Sequence, residues 1–210
     1  MVHSPAPSTL PTLPASDACI GVIANPVSAR DIRRVGANAG NLQITDRVNI
    51  VLRLLQAARA AGVARALLMP DRGGIRALLE RHLRRGDATL PRIDWLDMEP
   101  TSTVEDSFAA TRLLQRAGVA AIVVLGGDGT HRAVVRELHA AGSELPIAGI
   151  STGTNNAFPE MREPTITGLA TGLYAAGRIA ADEALQASAC VARTRTRPNA
   201  GVRGAFTAPA

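Results

Sequence analysis

Three glycines and one carboxylate stand together in Gly126-Gly127-Asp128-Gly129-Thr130, a spacing suited to phosphoryl chemistry. The apolar run Ala120 to Leu125 precedes them and predicts a buried strand. Behind them, His131 to Leu138 repeat apolar residues at helical spacing. A strand that breaks into a glycine-rich turn and opens a helix gathers backbone N–H groups and the positive end of the helix dipole at one point. That is a phosphate-binding geometry. The glycines let the backbone approach the phosphates, and Asp128 adds a group able to hold Mg²⁺ or take a proton. The competing reading is a tight turn in which Asp128 only caps the helix. So short a motif needs context to decide between them.

Two further segments supply that context. Ile20 to Ala24 form an apolar strand that ends in Asn25-Pro26-Val27-Ser28 and meets a basic cluster at Arg30, Arg33 and Arg34. Pro146 to Ile150 form another, running into Ser151-Thr152-Gly153-Thr154-Asn155-Asn156. Taken alone, Asn25-Pro26 reads first as a strand terminator. Three such turns at the carboxyl ends of predicted parallel strands form a pattern, because ligands of open α/β sheets bind in the crevice outside those ends.

Asn-Pro-x-Ser, Gly-Gly-Asp-Gly-Thr and Gly-Thr-x-Asn, in this order, resemble the superfamily of NAD kinases, diacylglycerol and sphingosine kinases and 6-phosphofructokinases. Within it, Asn25 to Arg34, Leu125 to Arg132 and Gly149 to Pro159 resemble the ATP-NAD kinase-like branch, which includes bacterial proteins of the acetoin catabolism protein X type. The likeness spans residues 19 to 186. Where lipid kinases show Asn-Asp after the Gly-Thr turn, this chain has Asn155-Asn156, which argues against a lipid substrate.

The elements that must position these turns alternate. Strands are predicted near 19–24, 64–69, 92–97, 120–125 and 146–150, and helices near 45–61, 73–85, 103–117, 130–142 and 165–178. Val48, Val51, Leu52 and Leu55 make one apolar face, with Thr45 as its cap. Thr103-Val104-Glu105-Asp106 opens the next-but-one helix like a capping box. Such alternation predicts an α/β domain, a parallel sheet with helices on both faces. Thr101, Ser102, Thr103 and Asp106 could instead face the cleft, but capping is the stronger reading. The long segment from Ser28 to Leu42 reads either as a loop over the phosphates or as a solvated charged loop.

Composition narrows the function classes. All 23 basic residues are arginine and none is lysine. That excludes a Walker A loop, the protein-kinase strand lysine and Schiff-base chemistry. A kinase built this way holds phosphates with backbone amides, hydroxyls, arginine and metal. Arg193, Arg195, Arg197 and Arg203 supply four of the net five positive charges. With only one Trp, one Tyr and three Phe, the chain lacks the basic, aromatic face of a nucleic-acid binder. No apolar stretch reaches the ~18 residues of a membrane span. Residues 1–18, rich in Pro, Ser and Ala, read as a flexible leader without signal-peptide character. Cys19 and Cys190 offer no zinc spacing or disulfide framework, which suits a reducing cytoplasm. His131 reads as a first-turn surface residue, His82 and His139 as solvated, and no Ser/His/Asp set has workable spacing.

The resemblance implies an ATP-dependent kinase (ATP or another phosphoryl donor, with Mg²⁺) acting on the 2′-hydroxyl of the adenosine ribose of NAD. In it Gly126, Gly127 and Gly129 bring amides to the phosphates, and Asp128 holds the metal or accepts the hydroxyl proton. Thr130, Thr154 and Asn155 bind phosphate or ribose oxygens, flanked by Gly153 and Asn156, while Asn25 and Ser28 line the nucleotide side. The family also carries a second, mostly β lobe. This sequence turns instead to an irregular Arg/Pro/Ala-rich tail at 187–210, which reads as truncated or frame-shifted. A chain lacking that lobe is expected to bind nucleotide weakly and to self-associate through surface the lobe would cover. The rival expectation is a non-catalytic, accessory nucleotide-binding protein associated with acetoin catabolism. A Rossmann dehydrogenase is weaker still, because no Gly-x-Gly-x-x-Gly follows the first strand.

Overall fold

A computed structural model describes residues 17–26, 43–152 and 163–179, with the backbone of 191–192. Ser28, the Arg30–Arg34 cluster and Gly153 to Asn156 lie outside the described residues, as do most of the leader and tail.

Strand β1 (Cys19–Ala24) leads to helix α1 (Ile44–Ala60), and the pattern repeats through β2 (Arg65–Leu68), α2 (Ile75–Leu83), β3 (Arg92–Trp95) and α3 (Val104–Arg116). It continues with β4 (Ala121–Gly126), α4 (Asp128–Ala140), β5 (Ile147–Ser151) and α5 (Pro164–Ala175). The strand order is β3-β2-β1-β4-β5-β6, and the first five strands are parallel. The last strand, β6 (Val191–Ala192), pairs antiparallel with β5 through Ile147 and Ala148, in a stretch expected to be irregular. The chain winds outward from β1 to β2 and β3, then returns to β1's other side at β4. The topological switch point therefore lies between β1 and β4.

The central strands are apolar throughout because both faces are covered. Their period-2 alternation still sorts the side chains. Ile20, Val22, Val123, Leu125 and Ile150 pack with Val51, Leu54, Leu55 and Ala58 of α1. Ile23, Ile122 and Val124 face the opposite way, toward Ala110 and Leu114 of α3 and Val134 and Leu138 of α4. Among the described residues, no helix is long and apolar enough to cross a membrane.

Two helix starts refine the sequence reading. Helix α1 is capped at Gln43 and not at Thr45: the Asp46 carboxylate accepts from the Gln43 N–H at 3.0 Å. An acidic third position claims the donor just ahead of the helix, so the start moves forward. At α3 the capping reading holds. Thr103 Oγ1 accepts from the Glu105 N–H at 3.2 Å, and Asp106 accepts from the N–H groups of Thr101 (2.8 Å) and Ser102 (2.7 Å). Ser102, with φ 64°, is the one non-glycine residue at positive φ among the described residues, and Asp106 holds it there.

Helix α5 presses closely on α1. A Cβ at Gly168 would lie 2.2 Å from the Leu54 carbonyl oxygen and 2.9 Å from Ala57 Cβ. Helix propensity alone predicts that Gly168→Ala stabilises by about 1 kcal/mol. Contact with a backbone oxygen reverses the sign, and the expected result is a loss of ~1–3 kcal/mol in urea unfolding. A gain would show that α5 lies farther from α1.

Candidate functional site

The carboxyl ends of β1, β4 and β5 are laced together beyond the last ladder pairs. The Asn25 N–H donates to Leu125 O at 3.0 Å, and the Thr152 N–H donates to Gly126 O at 3.0 Å. Asn25 Nδ2 crosses the switch point to donate to Thr130 Oγ1 at 3.1 Å. Two of the residues singled out for binding are thus brought together and tied to each other. Thr130 is only 6% exposed, and its hydroxyl keeps its own hydrogen to donate.

Gly126 makes this closeness sterically feasible. A Cβ there would stand 2.6 Å from Thr130 Cβ and 2.7 Å from its hydroxyl oxygen. Gly127 is the N-cap of α4 in extended backbone, and Asp128 and Gly129 open the first turn. Gly127 and Asp128 are half-buried, while Gly129 is exposed. A Cβ at Gly129 would meet nothing within 4 Å, so this glycine faces open space. Its N–H has no acceptor among the described residues. The helix end therefore presents a donor and the positive pole of the dipole outward, beside one carboxylate.

A second glycine-rich turn at the same sheet edge makes an informative contrast. Asp71-Arg72-Gly73-Gly74 follows β2 and opens α2, with Gly74 at φ 107°. Here the first two helix donors are already taken, because the Asp71 carboxylate accepts from the N–H groups of Ile75 (3.2 Å) and Arg76 (2.7 Å). An incoming anion would have to displace that carboxylate. Among the described residues, the turn after β4 has no such carboxylate over its second helix donor, the Gly129 N–H.

The residue that sequence reasoning missed is Arg47. It stands in the first turn of α1 and is 2% exposed. Nη1 donates to Asn25 O at 2.7 Å and to Thr152 Oγ1 at 3.2 Å, and Nη2 donates to Thr152 O at 3.3 Å. The planar fork joins the ends of β1 and β5 across β4, which a single ammonium could not do as well. Its signal was available: Arg47 lies on the same helical stripe as Val51, Leu54, Leu55 and Ala58, a charge on a face otherwise apolar.

His131 also departs from its sequence reading as a surface residue. Its Nδ1 lies 3.0 Å from Gly127 O, and its Nε2 is buried without a partner. His139 is exposed, and His82, 4.0 Å from Asp87, is half-buried. Cys19 sits at the opposite, amino end of β1, where burial pushes its thiol up in spite of Arg65 nearby, so it is no nucleophile for this site.

The donor set fits a divalent cation of one kind. Among the described residues, no three His, Cys, Asp or Glu side chains gather to hold a metal ion. A single carboxylate such as that of Asp128 is the kind of ligand Mg²⁺ takes when it arrives with phosphate oxygens and keeps much of its water.

Comparison with known proteins places the chain in a family. The family model described as the ATP-NAD kinase N-terminal domain matches residues 20–179. Acetoin catabolism protein X of Cupriavidus necator is 64% identical over 169 residues, covering 79% of this chain and 46% of that protein. The chain thus spans about half the length of that relative. A crystal structure of a Xaa-Pro dipeptidase with bound methionine superposes with TM-score 0.26 and 11% identity, over 74% of this chain and 45% of that one. So slight a likeness carries no argument.

Proposed function

Since the chain belongs to the ATP-NAD kinase N-terminal domain family, we propose that it supplies the nucleotide-phosphate half of an NAD kinase-like phosphotransferase. The reaction is transfer of a phosphoryl group from ATP, or another donor, to the 2′-hydroxyl of the adenosine ribose of NAD. The observation that carries this reading is the open first turn of α4 at the switch point, with the Gly129 N–H and the Asp128 carboxylate side by side.

Each residue then has a role. Gly126 admits Thr130 against the strand end, and the Gly127–Gly129 backbone meets phosphate oxygens. Thr130, Thr154 and Asn155 donate to phosphate or ribose oxygens, Gly153 and Asn156 belong to the same nucleotide-binding set, and Asn25 and Ser28 line the nucleotide side. Asp128 accepts the ribose hydroxyl proton or holds Mg²⁺, which when bound neutralises charge on the phosphates. The protein's contribution is positioning and charge stabilisation. We assign these roles to a unit at 19–186, flanked by a leader at 1–18 and a tail at 187–210.

A second reading draws on the name of the relative: an accessory nucleotide-binding protein associated with acetoin catabolism, without turnover of its own. One experiment separates the two. ATP with Mg²⁺ is titrated into isotope-labelled protein, and NADP formation is assayed in parallel. Binding with amide shifts centred on Gly126 to His131 is expected. NADP should form wherever the acceptor is held in line, an orientation that contributes up to ~7–11 kcal/mol of barrier lowering. Shifts confined to another face would overturn both readings. Binding at the turn with no NADP at any protein concentration, in a form spanning the relative's full length, would favour the accessory role.

A further inference from the structure

We propose that His131 is a positioning residue that latches the phosphate turn by holding the Gly127 carbonyl, a role that rests on the nucleotide-binding reading above. Gly127 O is the N-cap carbonyl of α4. It accepts from the Thr130 N–H at 2.9 Å, from the His131 N–H at 3.2 Å, and lies 3.0 Å from His131 Nδ1. With a carbonyl as partner, Nδ1 must be the donor. Nε2 then has no part in holding the turn, being buried without a partner among the described residues.

The consequence lies on the other side of the same peptide plane. No peptide bond among the described residues is cis, so the Gly127 carbonyl and the Asp128 N–H point in opposite directions. Drawing the carbonyl back toward the helix fixes the direction of the Asp128 N–H on its far side, and with it the course of the Gly127–Gly129 backbone. The competing state is a flip of this plane, which would present the carbonyl oxygen to the phosphate. Flanking glycines make such flips inexpensive, and Gly126 and Gly127 precede the bond. A backbone donor alone cannot prevent this, because the Thr130 and His131 N–H groups belong to any helix start. The imidazole adds a third anchor that is specific to this side chain.

The test uses the whole chain with two readouts. The first is the affinity for ATP with Mg²⁺. The second needs no ligand: chemical shifts of the Gly127 carbonyl carbon and the Asp128 and Gly129 amides. His131→Leu should weaken nucleotide binding about tenfold, the scale of one hydrogen bond, and split or move those backbone signals. His131→Asn places its Nδ2 where Nδ1 stood and should restore both. An unchanged His131→Leu in both readouts would overturn the latch. So would a folded His131→Asn that behaves like a loss of function, which keeps the test decisive if the leucine variant does not fold. If wild-type protein shows no nucleotide response while the backbone signals follow the pattern, the latch stands and the nucleotide reading fails. If neither readout responds, both fail.

Discussion

Asp128→Asn is expected to leave a folded protein and to remove phosphoryl transfer, by ~10²–10⁴-fold if the carboxylate is the positioned base. The two effects separate because they have different sizes. Asp128 is the first residue of α4, and the share of stability its charge draws from the helix's positive end is about 0.3–1 kcal/mol. Asparagine has nearly the same shape and leaves the turn filled. A thousandfold loss of rate is about 4 kcal/mol of barrier, several times the structural cost. The assay is NADP formation in a form of the protein that turns over NAD, with a thermal melt of the same sample. Near-wild-type rates would reduce Asp128 to a favourable charge at a helix end.

Arg47→Met is expected to cost ~3–5 kcal/mol in urea unfolding. Methionine can fill the space along α1, but it leaves Asn25 O, Thr152 O and Thr152 Oγ1 without their donor. Each buried acceptor so stranded costs about 1–3 kcal/mol. Against a typical domain stability of ~5–15 kcal/mol, that is a large share. The site should loosen as well, because the same guanidinium holds Asn25, whose side chain ties to Thr130. Arg47→Lys should recover only part of the loss, since one ammonium cannot keep both the Asn25 and Thr152 contacts in the planar geometry. A loss under ~1 kcal/mol for Arg47→Met would mean that water takes over these acceptors.

The alternation of strands and helices was legible because its signals are local. Ile20 to Ala24 and Ala121 to Leu125 are apolar at every position, and the helices between them carry clear stripes. Boundaries were less so: Thr45 has the better capping side chain, yet Asp46 at the third position moved the start to Gln43. The strand–turn–helix at Gly126 to Thr130 was legible because its glycines and the apolar runs on either side are adjacent in sequence. Arg47 left one signal, a charge on the apolar stripe of α1, but its partners stayed hidden until the strand ends it joins were known to be neighbours. His131 was hidden for a similar reason, because its bond depends on how the Gly127 peptide is turned. Nothing in the two residues of β6 distinguishes them from the arginine- and threonine-rich run around them.

The order of strands also sets a timetable for synthesis. Strand β1 pairs with β2 on one side, but its partner on the cleft side begins only at Ala121. At translation rates of ~5–20 residues per second, the ribosome needs roughly 5–20 s to deliver that partner after β1 has emerged. During this interval the growing chain carries an apolar strand with one edge unsatisfied, a template for pairing with other nascent chains. The β4-facing edge of β1 is thus both one side of the later switch point and the surface most in need of shielding while the polypeptide is still being made.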